Sequence, residues 1–326
     1  MRRERLPRSL AITGLGTFVG FQLADRLAET PDGPRIVGLD LRLPRRLEGR
    51  IRFHRVDLTS PTADSAVAEI LEKEGCDRVL HSAFFTDPYP DLEYAHELEV
   101  IGSLHVMNAC AAAGVGKLVV MSTAQVYGAW PQNPGFLTEE HPLRPNPEAH
   151  ALQDRAEAEG LLQLFAERHP DVAVTVLRPC WVVGPTIETG LTRYFDPGTV
   201  TILLGYDPLL QFLHEEDLLS AVWKALVLDV RGAVNLAPSG VVPLSTLICV
   251  AGKRPRSVPH PLLYRFGSLA WLSSTGDPPS AFYDFLRFSW TVDTRRARDS
   301  LGFEPVYTTK EAWMSFTVSR RLRRYR

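Results

Sequence analysis

Short runs rich in β-branched and aliphatic residues alternate with longer, mixed stretches through the first half of the chain. They are residues 9–13 (SLAIT), 35–40 (RIVGLD), 52–56 (RFHRV), 77–82 (DRVLHS), 117–122 (KLVVMS) and 172–178 (VAVTVLR). Between them, Leu98, Ile101, Leu104 and Met107 recur at helical spacing, as do Ala158, Leu161, Leu162 and Phe165, so each intervening helix should bury one apolar stripe. Strand and helix in strict alternation predict an α/β fold with a parallel sheet. Beyond about residue 180 the pattern loosens around Gly184-Pro185, Pro197-Gly198, Pro238, Gly240 and Pro278-Pro279, and a smaller region over 181–326, interleaved with late strands of the sheet, is expected there.

The 326 residues are 45% hydrophobic and 23% charged, enough apolar material for a sizeable core and outside the disordered class. With 36 Lys+Arg against 38 Asp+Glu, no bulk nucleic-acid binding is expected. Cys76, Cys110, Cys180 and Cys249 lie far apart, which argues against a disulfide framework or a zinc site and fits a reducing cytoplasm. Arg2, Arg3, Arg5 and Arg8 before the apolar stretch 10–24 imitate a secretory signal, but Asp25 and Arg26 stand where cleavage belongs. No run reaches the roughly 18 to 20 apolar residues that span a bilayer. The terminal SRRLRRYR carries five arginines; they read as a helix end complementing its dipole, with a weak anionic-membrane contact as the alternative.

That same N-terminal stretch, SLAITGLGTFVGFQLADRLAE, is a strand, a glycine turn and an amphipathic helix. Gly14 permits a tight turn, Gly16 lets backbone approach a pyrophosphate, and Gly20 allows the helix to pack closely, so that the amides of Thr17, Phe18 and Val19 face the phosphates. Asp40 ends the second strand 20 residues after Gly20, where a carboxylate accepts a ribose 2'-hydroxyl and repels a 2'-phosphate. The reading is a Rossmann-type doubly wound sheet, with a dinucleotide-binding domain over 1–180 and NAD preferred to NADP, although Arg42 and Arg45 lie close by.

These motifs resemble those of the extended short-chain dehydrogenases/reductases, the group of nucleotide-sugar epimerases, dehydratases and 3β-hydroxysteroid dehydrogenases. ITGLGTFVG is similar to the family's TGxxGxxG turn, with Thr17 standing at the usual middle glycine. VDLTS (56–60) implies that Asp57 and Leu58 flank the adenine. VLHSAFFTDP (79–88) implies that Ser82 and Ala83 lie near the cofactor, and LRPCWVVGP (177–185) brings Pro179 there. FLHEEDLLSAVWKAL (212–226) and VDTRRARDSLGFEP (292–305) resemble later signatures of the family.

The resemblance also defines what is missing. MSTAQVYG (121–128) places Thr123 where the family's Ser or Thr hydrogen-bonds the reacting oxygen, but the next helix, NPEAHALQDRAEAEGLL, has neither the Tyr nor the Lys of the family's i, i+4 pair. Matching Glu159 to the family's glutamate puts Arg155 at the lysine position and Ala151 at the tyrosine position. Arginine can hold a ribose but cannot shuttle a proton. His150 with Asp154, four residues apart, is one surrogate acid/base, and Tyr127 is another. Trp181 and Leu210 stand where sugar-nucleotide members carry Asn and Arg, so a diphosphate would lack its partners. The aromatic segment 259–290 instead suits an apolar pocket. The expected protein is an NAD-dependent oxidoreductase or epimerase-like enzyme acting on an apolar hydroxyl or keto compound with a non-standard proton donor, and a homodimer is compatible with it; the alternative is a non-catalytic dinucleotide-binding sensor or scaffold.

Overall fold

A computed structural model describes residues 6–85, 89, 91–264 and 279–323. The first half runs β1 (Ser9–Thr13), α1 (Phe18–Glu29), β2 (Arg35–Asp40), β3 (Arg52–Arg55), α2 (Ala63–Lys73), β4 (Arg78–His81), α3 (Leu92–His96), α4 (Gly102–Ala112), β5 (Lys117–Met121), α5 (His150–Arg168) and β6 (Ala173–Pro179). There follow β7 (Trp181–Val183), α6 (Gly190–Phe195), β8 (Thr199–Leu203), β9 (Leu209–Leu210), β10 (Phe212–His214), α7 (Glu215–Val227), β11 (Gly232–Leu236), β12 (Val242–Pro243), α8 (Leu244–Val250) and β13 (Arg254–Val258). Short helices Pro279–Asp284 and Arg295–Leu301 precede the C-terminal helix Thr309–Arg323.

Seven parallel strands form the central sheet in the order β11-β6-β5-β4-β1-β2-β3. Strands β1, β4, β5 and β6 are buried along their whole length, as a sheet covered on both faces requires, which is why their sequences are mostly apolar without an alternating polar face. The chain proceeds from β1 outward to β3 and then returns to place β4 on the other side of β1. This reversal opens a crevice at the carboxyl ends of β1 and β4, where open α/β sheets bind ligands. Late strand β11 pairs with β6, Leu236 opposite Pro179, so the second half does complete the sheet of the first. Three two-stranded pairs, β7 with β10, β8 with β13 and β9 with β12, build the flanking region.

One helix face departs from its sequence pattern. Residues Glu97–Ile101, leading into α4, form a π-helical turn, and the wider turn rotates the buried face by about one position. Glu99, Val100, Ser103, Val106, Met107 and Cys110 therefore point inward, while Leu98 and Ile101 are half-buried and Leu104 is exposed. The stripe on α5 matches better: Ala158, Leu162 and Phe165 are buried, and Arg155 and Glu159 share that face.

The C-terminal arginines fold back on the chain. Arg320 and Arg323 pair with Glu188 at 2.9 and 2.8 Å, and Arg321 donates to the Ala251 carbonyl; Arg324 and Arg326 lie outside the described residues. Among the described residues no helix is long and apolar enough to cross a membrane.

Candidate active site

The turn after β1 is built by backbone and hydroxyl contacts. Gly14 has φ +76°, and a Cβ there would sit 2.6 Å from the backbone of Ser82 and Ala83. A Cβ on Gly20 would meet the Gly14 carbonyl at 2.3 Å. Thr17 caps α1: its hydroxyl accepts from Gly20 N and donates to the Gly14 carbonyl at 2.8 Å. The threonine at the family's middle glycine thus serves as a helix cap. A Cβ on Gly16, in contrast, would meet nothing within 4 Å. The turn leaves open space in front of the first amides of α1, Phe18 and Val19, which helix geometry leaves without intrahelical acceptors. These features fit a dinucleotide pyrophosphate.

Asp40, at the end of β2, reaches back to this turn, accepting from Gly16 N at 3.2 Å and from Leu41 N at 2.6 Å. Asp57 is exposed and accepts from the Thr59 amide and hydroxyl; Leu58 is buried, its carbonyl accepting from His105 Nδ1. Ser82 Oγ donates to the Thr13 carbonyl at 2.7 Å. Behind the turn, His81 is fully buried between Thr13 Oγ1 (2.7 Å) and Ser103 Oγ (3.0 Å). Burial depresses its pKa to about 3, with the Arg155 charge a lesser cause, so His81 is a neutral strut tying β1 and β4 to α4.

In front of the turn lies a cavity of about 600 Å³. Thr17, Phe18, Val19 and Ser82 line one end, Ser122, Thr123 and Gln125 the end of β5, Ala151, Leu152 and Arg155 the start of α5, and Pro179 the end of β6. Its far wall is aromatic. Trp181 packs against Phe212, Phe282 and Phe285 and meets Trp290 edge-on at 5.0 Å, and Tyr194, Phe282, Tyr283 and Phe285 share the lining. Of the aromatic segment, Ala281, Phe282, Tyr283 and Phe285 contribute wall to this cavity, whereas 259–264 do not line it; 265–278 lie outside the described residues.

The candidate acid/base groups are placed differently from their sequence pattern. Thr123 lines the cavity, its hydroxyl accepting from Gln125 N at 3.2 Å. His150 is the exposed first residue of α5, outside the cavity lining. Asp154, expected to orient it, instead holds His96 Nδ1 at 2.8 Å, because α3 packs across that turn of α5; the bond raises the His96 pKa. Tyr127 is buried in the core, its hydroxyl donating to Asn235 Oδ1 and accepting from Arg178 Nη1 at 2.6 Å, so it does not reach the cavity. Arg178 in turn pairs with Glu159 at 2.5 Å, and Glu159 also accepts from Ser122.

Arg155 faces inward but is committed. Its guanidinium donates to Glu99 and to the Phe85 carbonyl at 3.1 Å and lies 4.2 Å over the Phe84 ring. Burial drives the Glu99 pKa up, opposed by Arg155 and by the bond from Phe85 N. Pattern reading missed Glu99, because the π turn is invisible in periodicity; a carboxylate inside an apolar stripe was the available signal.

Comparison with known proteins places this arrangement. A sequence profile of the NAD dependent epimerase/dehydratase family matches residues 10–237. An uncharacterized protein of Mycobacterium tuberculosis is 31% identical over 323 residues, covering 97% of this chain and 85% of its own. A 3-diazoavenalumate denitrifying reductase of a Streptomyces species is 30% identical over 68% of this chain and 71% of its own. A 2-alkyl-3-oxoalkanoate reductase of Stenotrophomonas maltophilia is 30% identical over 54% of this chain and 51% of its own. Among solved structures, UDP-glucose 4-epimerase of Thermotoga maritima superposes with TM-score 0.75 at 19% identity over 97% of this chain and 99% of its own. MoeE5 in complex with UDP-glucose and NAD does so with TM-score 0.73 at 22% identity over the same shares.

Proposed function

The chain belongs to the NAD-dependent epimerase/dehydratase family, and from that premise we propose that it is an oxidoreductase moving hydride between NAD and an apolar hydroxyl or keto compound. NAD is the cofactor of this family, and the open glycine turn fits it. The turn Gly14–Gly20 with the start of α1 would hold the pyrophosphate, Asp40 the adenosine ribose, Asp57 and Leu58 the adenine, and Ser82, Ala83 and Pro179 the nicotinamide end. When bound, the cofactor supplies or accepts the hydride.

The observation carrying this reading is that one cavity runs from Thr17, Phe18 and Val19 past Thr123 to the aromatic wall of Trp181, Tyr194, Phe282 and Phe285. A substrate there meets the cofactor at one end and an apolar surface at the other. Thr123 Oγ1 is the hydrogen-bond donor to the reacting oxygen, and Arg155, held by Glu99, is a positioning residue that stiffens the floor and takes no part in proton transfer. Trp181 is locked among four aromatic rings, and Leu210 is buried. Neither supplies the hydrogen bonds a sugar diphosphate requires, which disfavours a nucleotide-sugar substrate. The relationship to a 2-alkyl-3-oxoalkanoate reductase supports an apolar keto substrate.

Titration calorimetry with NAD and NADP, followed by nicotinamide absorbance with NADH and a panel including acetophenone, cyclohexyl methyl ketone and 2-decanone, tests the reading. Binding of NAD and turnover of at least one ketone are expected. No heat of association and no turnover would overturn it.

A further inference from the structure

The start of α5 presents a methyl group, Ala151, where the oxidoreductase reading needs an acid, and His150 points elsewhere. The cavity nevertheless contains phenols. Among the tyrosines near it, Tyr194 donates to the Thr201 carbonyl, Tyr264 to Asp284, and Tyr127 is sealed in the core. Tyr283 lines the cavity, half-buried, and among the described residues no group hydrogen-bonds its hydroxyl. Its ring is held by Phe282 at 6.0 Å and Tyr264 at 6.1 Å.

The helix Pro279–Asp284 is tied to the approach to α5: Asn146 Nδ2 donates to Asp284 Oδ2 at 2.7 Å. That bond fixes the residue next to Tyr283 against the segment leading into Ala151, so both side chains line the same cavity as Thr123. We propose that Tyr283 Oη is the proton donor of this site, a phenol supplied from the C-terminal region in place of the one that α5 lacks. The assignment rests on the oxidoreductase reading above. In the reductive direction the carbonyl carbon gains hydride from reduced nicotinamide, the C=O π pair moves to oxygen, and that oxygen takes the Tyr283 proton; water reprotonates the phenolate. Burial lifts the phenol above its usual range, keeping it protonated at neutral pH.

The test compares wild type, Tyr283→Phe and His150→Ala with NADH and the ketone the wild type reduces fastest. Tyr283→Phe keeps the ring and its packing. Its kcat is expected to fall by roughly 10²- to 10⁴-fold, with NADH affinity within about twofold of wild type, while His150→Ala stays within about twofold in kcat. Retention of more than about a fifth of the wild-type kcat in Tyr283→Phe, or a loss that parallels lost NADH affinity, overturns the assignment and leaves the oxidoreductase reading standing. A wild type that reduces no ketone removes that reading and this assignment with it.

Discussion

Arg155 and Glu99 form a buried ion pair, Nη2 to Oε1 3.2 Å, in which the side chains are only 10% and 1% exposed. The pair joins α5 to the π turn before α4 and, through Phe85, to the segment after β4. Removing the guanidinium alone would strand a desolvated carboxylate, the expensive way to break such a pair. Arg155→Ala is therefore expected to cost about 3 to 5 kcal/mol in urea denaturation at neutral pH, whereas Glu99→Gln combined with Arg155→Met recovers most of the loss. A single-variant cost below about 1 kcal/mol would show the pair to be incidental.

Asp40 accepts from the Gly16 amide and, in the binding mode proposed above, would also face the adenosine sugar. In that mode the second contact would set cofactor choice by charge. Asp40→Ala should weaken NAD binding by about tenfold or more, as expected for a lost charged hydrogen bond, while NADP binding weakens less or improves. Calorimetry on the pair of nucleotides reads the ratio directly, and an unchanged ratio would remove Asp40 from the recognition of the ribose.

Lys117 is fully buried in the sheet, its ammonium donating to Thr175 Oγ1 and the Val230 carbonyl, both at 2.6 Å. Burial pushes its pKa from 10.5 down to about 7, partly opposed by Asp229. Below pH 7 the group is charged in both folded and unfolded chains, and the full desolvation cost stands. Between about pH 7 and 10 the unfolded chain holds a proton that the folded chain has released, so this group's contribution makes stability rise with pH. Lys117→Met removes that dependence. Its stability relative to wild type should be most favourable at pH 6 to 7 and fall by about 2 to 4 kcal/mol by pH 10, measured by urea denaturation across the range; parallel pH profiles would refute it.

Much of the fold was legible because its determinants are local. The largely apolar runs of β1, β4, β5 and β6 needed no partner to be recognised, since burial on both faces leaves no alternating polar face; the few polar residues in them, such as His81 and Lys117, are buried and hydrogen-bonded. Gly14 could be read as a turn because its conformation and its close approach to Ser82 and Ala83 exclude a side chain. Thr123 at the end of β5 was likewise visible from its motif. The alternation did not reveal the phase of the helix before α4, where a π turn moved Glu99 inward and Leu104 outward.

The amino-acid sequence by itself determined the strand-helix order, the open dinucleotide turn with Asp40 behind it, and the absence of a Tyr-Lys pair on α5, all properties of contiguous residues. Tertiary structure alone decided which groups meet. It gave Asp154 to His96 rather than to His150, set Arg155 against Glu99, drew Tyr127 into the Arg178 network, and brought Tyr283 to the cavity that Ala151 also lines. Partners separated by tens of residues are chosen by how helices pack on the sheet, and burial then fixes their charge and reach, which no spacing along the chain records.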